Sequence, residues 1–584
     1  MENEELFAGD AALDIQQSTA RISENRRTED GTLLEVHHEP LLASNDPDNE
    51  WPEDVQESQS TDPWSQWRRP SIYWLLPFAL IYTIGFGALA VPKVNLVVDL
   101  ICRNYFYEKS AQDPNFSYPP VILSDDNPQC QIPEVQAKVA RFQLFMNLIT
   151  GTVAALISPR LGRLSDQYGR TKILALCGFG AACNELISCI VGTWPDRVSV
   201  NLLFLGSLMD GLAGSITGAQ VLLHSYATDC TSPDRRSVAF GYFHGVLFFG
   251  VAAGPSGAAY IIYKMGTSLI VFYVGATLHL LFSLAVLFVV PESLSKESQL
   301  AARARDRLKT TDADEPAWLS WQTINPMNLI TPLAILFPPV GRPSALFPNR
   351  KGATSALRRN ILMLAAIDMV VFGVAMGVVQ VIVIYARLIL GWGDVQMSLF
   401  AGIINGIRAI NLFVLYPIIN RFFRTPIESE GKIVGCDRLD VIVIRVSVLL
   451  DTIGFVGYSL STTGPQWLLS AMGACFGGMG PPTLQSAMTK HVYPDQVGQL
   501  LGVTGLLHAL ARIVAPTSLN LIYSLTVGTF PQAVFVILTG CFGAVLILSF
   551  FVRSHVTLDD EPELDIGVEA NEDGEGEEDQ LLLR

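Results

Sequence analysis

Half of the 584 residues are apolar and only 16% are charged, with acidic residues outnumbering basic ones 55 to 39 for a formal charge of −16. A soluble chain of this length would divide into domains joined by polar linkers. Here the apolar residues gather into about a dozen runs that approach or exceed the ~20 residues needed to cross a bilayer core as a helix. Such unbroken runs exclude a lipid-spanning barrel, whose strands read as short alternating segments.

The acidic excess sits at the ends. Residues 1–66 carry 17 Asp/Glu against 3 Lys/Arg, and residues 557–584 carry 12 against 1, which leaves the body between them at +9. Segments this polar bury too little apolar surface to offset the entropy of ordering, so both ends read as disordered tails. Nothing in the charge distribution points to nucleic-acid binding. The polar start carries no cleavable leader pattern, so the first span is expected to act as its own membrane-entry signal.

Candidate spans fall at 72–98, 137–159, 173–194, 199–223, 237–262 and 268–290, then at 361–387, 395–419, 440–461, 465–488, 500–525 and 531–553. The expected fold is an all-α membrane protein with twelve transmembrane helices in two six-helix bundles. Its divisions are an acidic N-tail (1–70), an N-terminal bundle (71–291), a connector (292–360), a C-terminal bundle (361–553) and an acidic C-tail (554–584). Arg68, Arg69, Arg160, Arg163, Arg170, Lys172, Arg235, Arg236 and the basic connector fall on one side, and far fewer cations on the other. The positive-inside rule therefore puts that side, and both termini, in the cytoplasm.

In the first outer loop, Asn115-Phe116-Ser117 is an N-glycosylation sequon, and Cys102 and Cys130 could pair in an oxidising lumen. No CxxC pair or His/Cys cluster suggests a metal, and no cofactor is implied. In the tails, Glu29 with Leu33-Leu34 and Glu577 with Leu581-Leu582 fit the acidic dileucine pattern read by sorting adaptors. They favour a vacuolar-type membrane over the plasma membrane. Pro92, Pro255, Pro481, Pro482 and Pro516 interrupt spans that a passive anchor would keep regular, and Gly473 and Gly477 form a G-x-x-x-G pair that permits close helix approach.

Between spans two and three the chain reads Gly162-Arg163-Leu164-Ser165-Asp166-Gln167-Tyr168-Gly169-Arg170-Thr171-Lys172. This resembles the signature loop of the major facilitator superfamily, with the glycines, Leu164, Asp166 and Arg170 in register. Gln167 replaces the usual basic residue, and the last basic residue comes one place late. Gly162 and Gly169 would permit tight turns, and Asp166 could meet a helix N-terminus or a basic partner in one gate state only. Span five carries Gly250, Gly254 and Pro255, which resemble the Gly-Pro motif of proton-driven antiporters, although Ala258-Ala259 stand where those have a double glycine. Asp210-Gly211 in span four, followed by Tyr226 to Asp229 and Arg235-Arg236, is similar to the tetracycline-resistance and folate-carrier-like branch as found in fungal members.

The resemblance implies that spans 1, 4, 7 and 10 surround a central cavity. A charge at mid-bilayer costs about 2.5–3.5 kcal/mol on insertion scales and so marks a functional candidate. On that template Asp210, Asp368, Arg408, His508 and Arg512 could face the cavity. Asp210 or Asp368 would carry the proton, and Arg408 and Arg512 would act as counter-charges or anion contacts. Glu185, Arg445 and Asp451 would be peripheral and structural, and His244 and His279 more often packing residues than ligands. The second half's counterpart loop, from Pro417 to Arg424, lacks the Gly and Asp of the motif.

The expected function is secondary transport of a small organic solute by a monomer exchanging protons, first as efflux of a drug-like or secondary metabolite. Proton-coupled uptake or vacuolar import of an organic anion is the alternative, and a non-transporting solute sensor the alternative of another class. His224 to Asp229 fits the H-x4-D of membrane acyltransferases, but no catalytic domain surrounds it, and no phosphate-binding loop for ATP-driven transport is present.

Overall fold

The computed structural model describes residues 69–112, 121, 127–130, 132–309, 331–342, 352–392, 394–424, 435–493 and 496–556. Residues 1–68 and 557–584, Asn115 and both dileucine pairs lie outside the described residues. Helices account for all the regular structure there apart from isolated bridges of Val340 with Gly352 and Ala353. The first six rods are α1 (Ile72–Gln112), α2 (Pro133–Tyr168), α3 (Arg170–Thr193), α4 (Leu202–Leu212 and Ser215–Cys230), α5 (Arg236–Met265) and α6 (Leu269–Phe288). The second six are α7 (Ser355–Ile389), α8 (Asp394–Phe423, through a π turn), α9 (Arg438–Leu460), α10 (Gly464–Thr489, in two pieces), α11 (Val497–Thr526) and α12 (Ala533–Phe550). A connector helix, Lys296–Lys309, follows α6. Nine of the described helices are long and apolar enough to cross a membrane, and α9, the broken α10 and the shorter α12 complete the twelve.

Three rods depart from regular α geometry, each where the residues dictate it. Pro417 has no N–H and would clash with the carbonyl four residues back, so α8 takes a π turn over Asn411–Leu415 just before it. In α10 the glycines at 477, 478 and 480 precede Pro481-Pro482, and the chain tightens into a 3-10 turn over Cys475–Met479. The expectation of an unbroken span four fails at Gly214, whose φ of +86° ends the first piece of α4, with Ser215 at +53° opening the second. The G-x-x-x-G reading of α10 is also corrected: a Cβ on Gly473 would meet nothing, whereas one on Gly477 would strike the Asp451 carboxylate.

Two spans run furthest past their expected ends. α1 continues through Cys102 to Gln112, into what the sequence reading assigned to an outer loop. It is held there by the Cys102–Cys130 disulfide and the Lys138–Glu108 ion pair. α2 runs to Tyr168, so most of the signature segment is helix rather than loop and only Gly169 separates it from α3.

The core of the first six helices is split along the length of the helices. One apolar cluster (Leu75, Leu174, Tyr226, Phe240, Phe282) fills the half near the signature segment, and another (Leu96, Cys102, Val139, Val191, Phe272) fills the half near the disulfide. Asn184, Glu185, Asp210 and His279 belong to neither cluster and form a polar layer around one cavity. The second six helices share one large cluster around Trp467, Tyr385, Phe535 and Tyr458, whose rings stack or meet edge to face.

Candidate functional site

The break in α4 sets the geometry of the polar layer. Ser215, first residue after the break, donates its hydroxyl to Asp210 Oδ2 at 2.9 Å and accepts from Arg512 Nη1 of α11 at 3.2 Å. Had α4 run on as a regular helix, Asp210 and Ser215 would be five positions apart and would not share a face. Asp210 and Arg512, both expected at a central cavity, are thus brought together through one hydroxyl. They line a cavity of about 260 Å³ with Tyr82, Lys93, Glu185 and His279.

Glu185 is the main correction. The sequence reading placed it on a peripheral helix with a structural role, yet its buried carboxylate lies on the cavity wall with Oε1 3.6 Å from Lys93 Nζ of α1. Lys93 lies well inside α1, which runs on past it to Gln112. The missed signal was available in part: an acidic and a basic residue each inside an apolar run require a partner, whatever face a template assigns them.

The signature segment closes the opposite end. Arg170 Nη1 lies 2.5 Å from Asp166 Oδ1 and its Nε 3.1 Å from Asp229 Oδ2. Glu292 accepts from the backbone N–H groups of Arg170 and Thr171 at 2.8 and 3.1 Å. The Glu292 carboxylate thus caps the N-terminus of α3, where the helix dipole favours an anion. Gly169 makes the tight turn, with φ of +103°. Gly162 does not turn the chain, contrary to expectation: it lies within α2 and packs on α11, where a Cβ would come 2.6 Å from Gly498 O. Gly498 in turn faces Asp166, so that carboxylate lies at the first turn of α11. Gly502 and Gly505 continue the close contact along α2, against Pro159 and Ser158. Arg236 of α5 donates to Thr489 O of α10 at 3.5 Å, and Arg424 to Ser237 at 3.4 Å, on the same closed end.

The second half carries a charge cluster that its loop sequence did not announce. Arg424 at the end of α8 pairs with Asp437 and Asp440 at the start of α9, and Lys490 after α10 reaches Asp440 at 2.6 Å and Asp437 at 3.3 Å. The acids absent from the Pro417–Arg424 segment come from the next helix.

The remaining candidates are dispersed. Asp368 of α7 and His508 of α11 form a buried pair at 2.6 Å, with the His508 ring stacked on Phe372 at 4.0 Å. His508 and Arg512 share a face of α11, but only Arg512 lines the cavity. His244 donates Nδ1–H to Phe240 O at 3.1 Å, so its Nε2 accepts from Gln220, and its ring stacks on His224 at 5.1 Å. Arg408 does not line the cavity either: it packs over Phe248 at 5.4 Å, within electrostatic reach of Asp451. Gly250 and Gly254 of the Gly-Pro motif seat α5 on α1, where a Cβ at either would fall within 2.6 Å of Thr83 or Ala88. Pro255 follows inside the same helix. Cys102 and Cys130 are joined, with Cα atoms 5.6 Å apart. Among the described residues no group of three His, Cys, Asp or Glu could hold a metal.

The model of the Major Facilitator Superfamily matches residues 133–516. The chain is 27% identical to MFS-type transporter avaJ of Aspergillus versicolor over 537 residues, 90% of this chain and 96% of that protein. It is 22% identical to MFS efflux pump atnC of Emericella nidulans, over 76% of this chain and 79% of the pump. The human organic anion transporter MFSD10 (TETRAN) superposes with a TM-score of 0.58 at 18% identity, over 84% of this chain and all of that one. That likeness shows the fold alone.

Proposed function

The chain belongs to the Major Facilitator Superfamily, a family of membrane transporters and not of enzymes, and on that premise we propose that it moves a small organic solute by proton-coupled alternating access. The observation that carries the reading is the pairing of a charged cavity in one half of the molecule with a glycine-packed seal at the other. A solute bound at Asp210, Ser215 and Arg512 has no path through the α2–α11 contact unless the bundles rock apart. With the signature segment on the cytoplasmic side, as the distribution of Lys and Arg supports, the described state is the outward one.

Efflux of a drug-like or secondary metabolite is supported by the printed name of the atnC relative and by the Gly254-Pro255 segment of α5. A second reading, proton-coupled uptake or vacuolar import of an organic anion, is supported by the two cations of the cavity, Lys93 and Arg512. In both, Asp210 or Asp368 carries the proton, the first inside the cavity and the second apart from it. The test is solute flux in proteoliposomes, with and without a pH gradient, for wild type, Asp210→Asn and Asp368→Asn. Loss of gradient-driven flux in at least one variant is expected. Full gradient-driven flux in both removes the coupling assignment, and absence of flux altogether in wild type favours a solute sensor.

A further inference from the structure

Lys93 and Glu185 reach into the cavity from α1 and α3 and hold each other loosely. Their 3.6 Å separation exceeds the roughly 2.7–2.9 Å of a charge-assisted hydrogen bond. The second carboxylate oxygen, Oε2, is buried with no partner. The ammonium has three donors and, among the described residues, Glu185 is its one ion-pair partner. Arg512 on the facing wall donates to Ser215 and makes no ion pair among the described residues. The charged and titratable groups around Glu185 are Lys93 and Tyr82 on α1, Asp210 on α4, His279 on α6, Arg512 on α11, and Cys189 one turn along on α3. Two cations and two carboxylates therefore share one cavity.

Resting on the reading of this cavity as the substrate site, we propose that the solute is an organic anion whose carboxylate binds Lys93, and that Glu185 is the internal group it displaces by accepting a proton. No covalent bond of the chain changes. A proton from water goes to Glu185 Oε2, the Lys93–Glu185 ion pair is replaced by a Lys93–solute ion pair, and Arg512 supplies a second cation across the cavity. The exchange adds one proton and one anion, so the cavity's net charge is the same before and after. That balance matters because an uncompensated charge in a low-dielectric site is costly. A cationic solute arriving with Glu185 protonated would face both Lys93 and Arg512 with only Asp210 to offset them. Proton and anion then travel together, which favours the second of the two directions above.

The test uses the full chain in detergent. Thermal stabilisation is measured with benzoate, salicylate and glutarate, and with tetraethylammonium as the cation control, at acidic and neutral pH. At least one carboxylate is expected to stabilise the protein, with affinity rising by up to about tenfold per pH unit of acidification while Glu185 titrates. Glu185→Gln is expected to bind that carboxylate at both pH values alike. Lys93→Gln is expected to lose it at both, and Lys93→Arg to restore it. The inference is overturned if no carboxylate stabilises wild type, if tetraethylammonium alone does, if binding survives Lys93→Gln, or if Glu185→Gln keeps the wild-type pH slope. Ala90, exposed on the cavity wall, separates failure of the cavity as substrate site from failure of the Lys93–Glu185 exchange. It is replaced by cysteine and modified with a bulky thiol reagent, with wild type as control for the native cysteines. Binding that survives modification sinks the cavity reading itself, whereas binding that is blocked while Glu185→Gln keeps the wild-type slope sinks this inference alone.

Discussion

Gly162→Ala is the sharpest probe of the seal between the bundles. A Cβ at Gly162 would stand 2.6 Å from Gly498 O and 3.3 Å from Gly502 Cα, and neither is a side-chain end that could swing away. Overpacking of this kind costs about 1–3 kcal/mol. The contact joins α2 to α11, so the strain exists only while this end is closed and is relieved once the bundles part. The substitution should therefore shift the gate equilibrium toward the open end by a factor of about 5 to 150, taking tenfold per 1.4 kcal/mol. Gly254→Ala is the matched control, because its Cβ would meet Ala88 N at 2.5 Å between two helices of the same bundle. It should lower stability without moving the equilibrium. The reporter is a cysteine at Leu506, which is buried against Ala154, Ala155 and Ala509 in the seam. Its modification rate by a thiol reagent is proportional to the open fraction, and should rise by that factor with Gly162→Ala only. An unchanged rate, or an equal rise with Gly254→Ala, would refute the assignment of this contact to the gate.

Two further outcomes are expected. Cys102→Ser opens a bridge between positions 28 residues apart, and the chain-entropy relation for that loop gives a loss of about 3 to 4 kcal/mol, read as a lower melting temperature in detergent. His491, just past α10, donates Nδ1–H to Ala487 O at 2.6 Å and meets Asn360 Nδ2 at 3.1 Å, and burial lowers its pKa to about 4. A folded value below the unfolded one means that the unfolded chain binds the extra proton first. Its contribution is therefore complete above about pH 6.5 and is lost as pH falls toward the folded value. Melting scans from neutral to acid pH should show a shallower decline for His491→Gln than for wild type, and parallel curves would discard this account.

Residue chemistry alone went some way into the site. Asp210 and Arg512 were legible because an ionised side chain in an apolar run is costly in the bilayer and persists where it has a partner or a task. Their link was not legible, since it depends on the positive φ angles at Gly214 and Ser215, which turn Ser215 between them. Glu185 was set aside by a template of which helices face the centre, and its position shows that a residue on an outer rod can still reach a cavity through the gaps between its neighbours. Arg408 failed in the other direction: it was expected at the cavity, but its side chain lies over Phe248 and does not line it. The acids that complete the second charge cluster sit in α9, beyond the segment where a local pattern would seek them.

Hydrophobic run length by itself determined that this chain is a twelve-span membrane protein, because the bilayer forces each crossing to satisfy its own backbone and leaves that demand written in contiguous residues, and the segment from Gly162 to Lys172 carried the resemblance to the family. Which charges meet was decided by tertiary structure only. Lys93 and Glu185 lie 92 positions apart, as the numbering gives, and Ser215 and Arg512 lie 297 apart. Ion pairing acts over a few ångströms whatever the separation along the chain, so these partners became neighbours only once glycine-lined helices had packed.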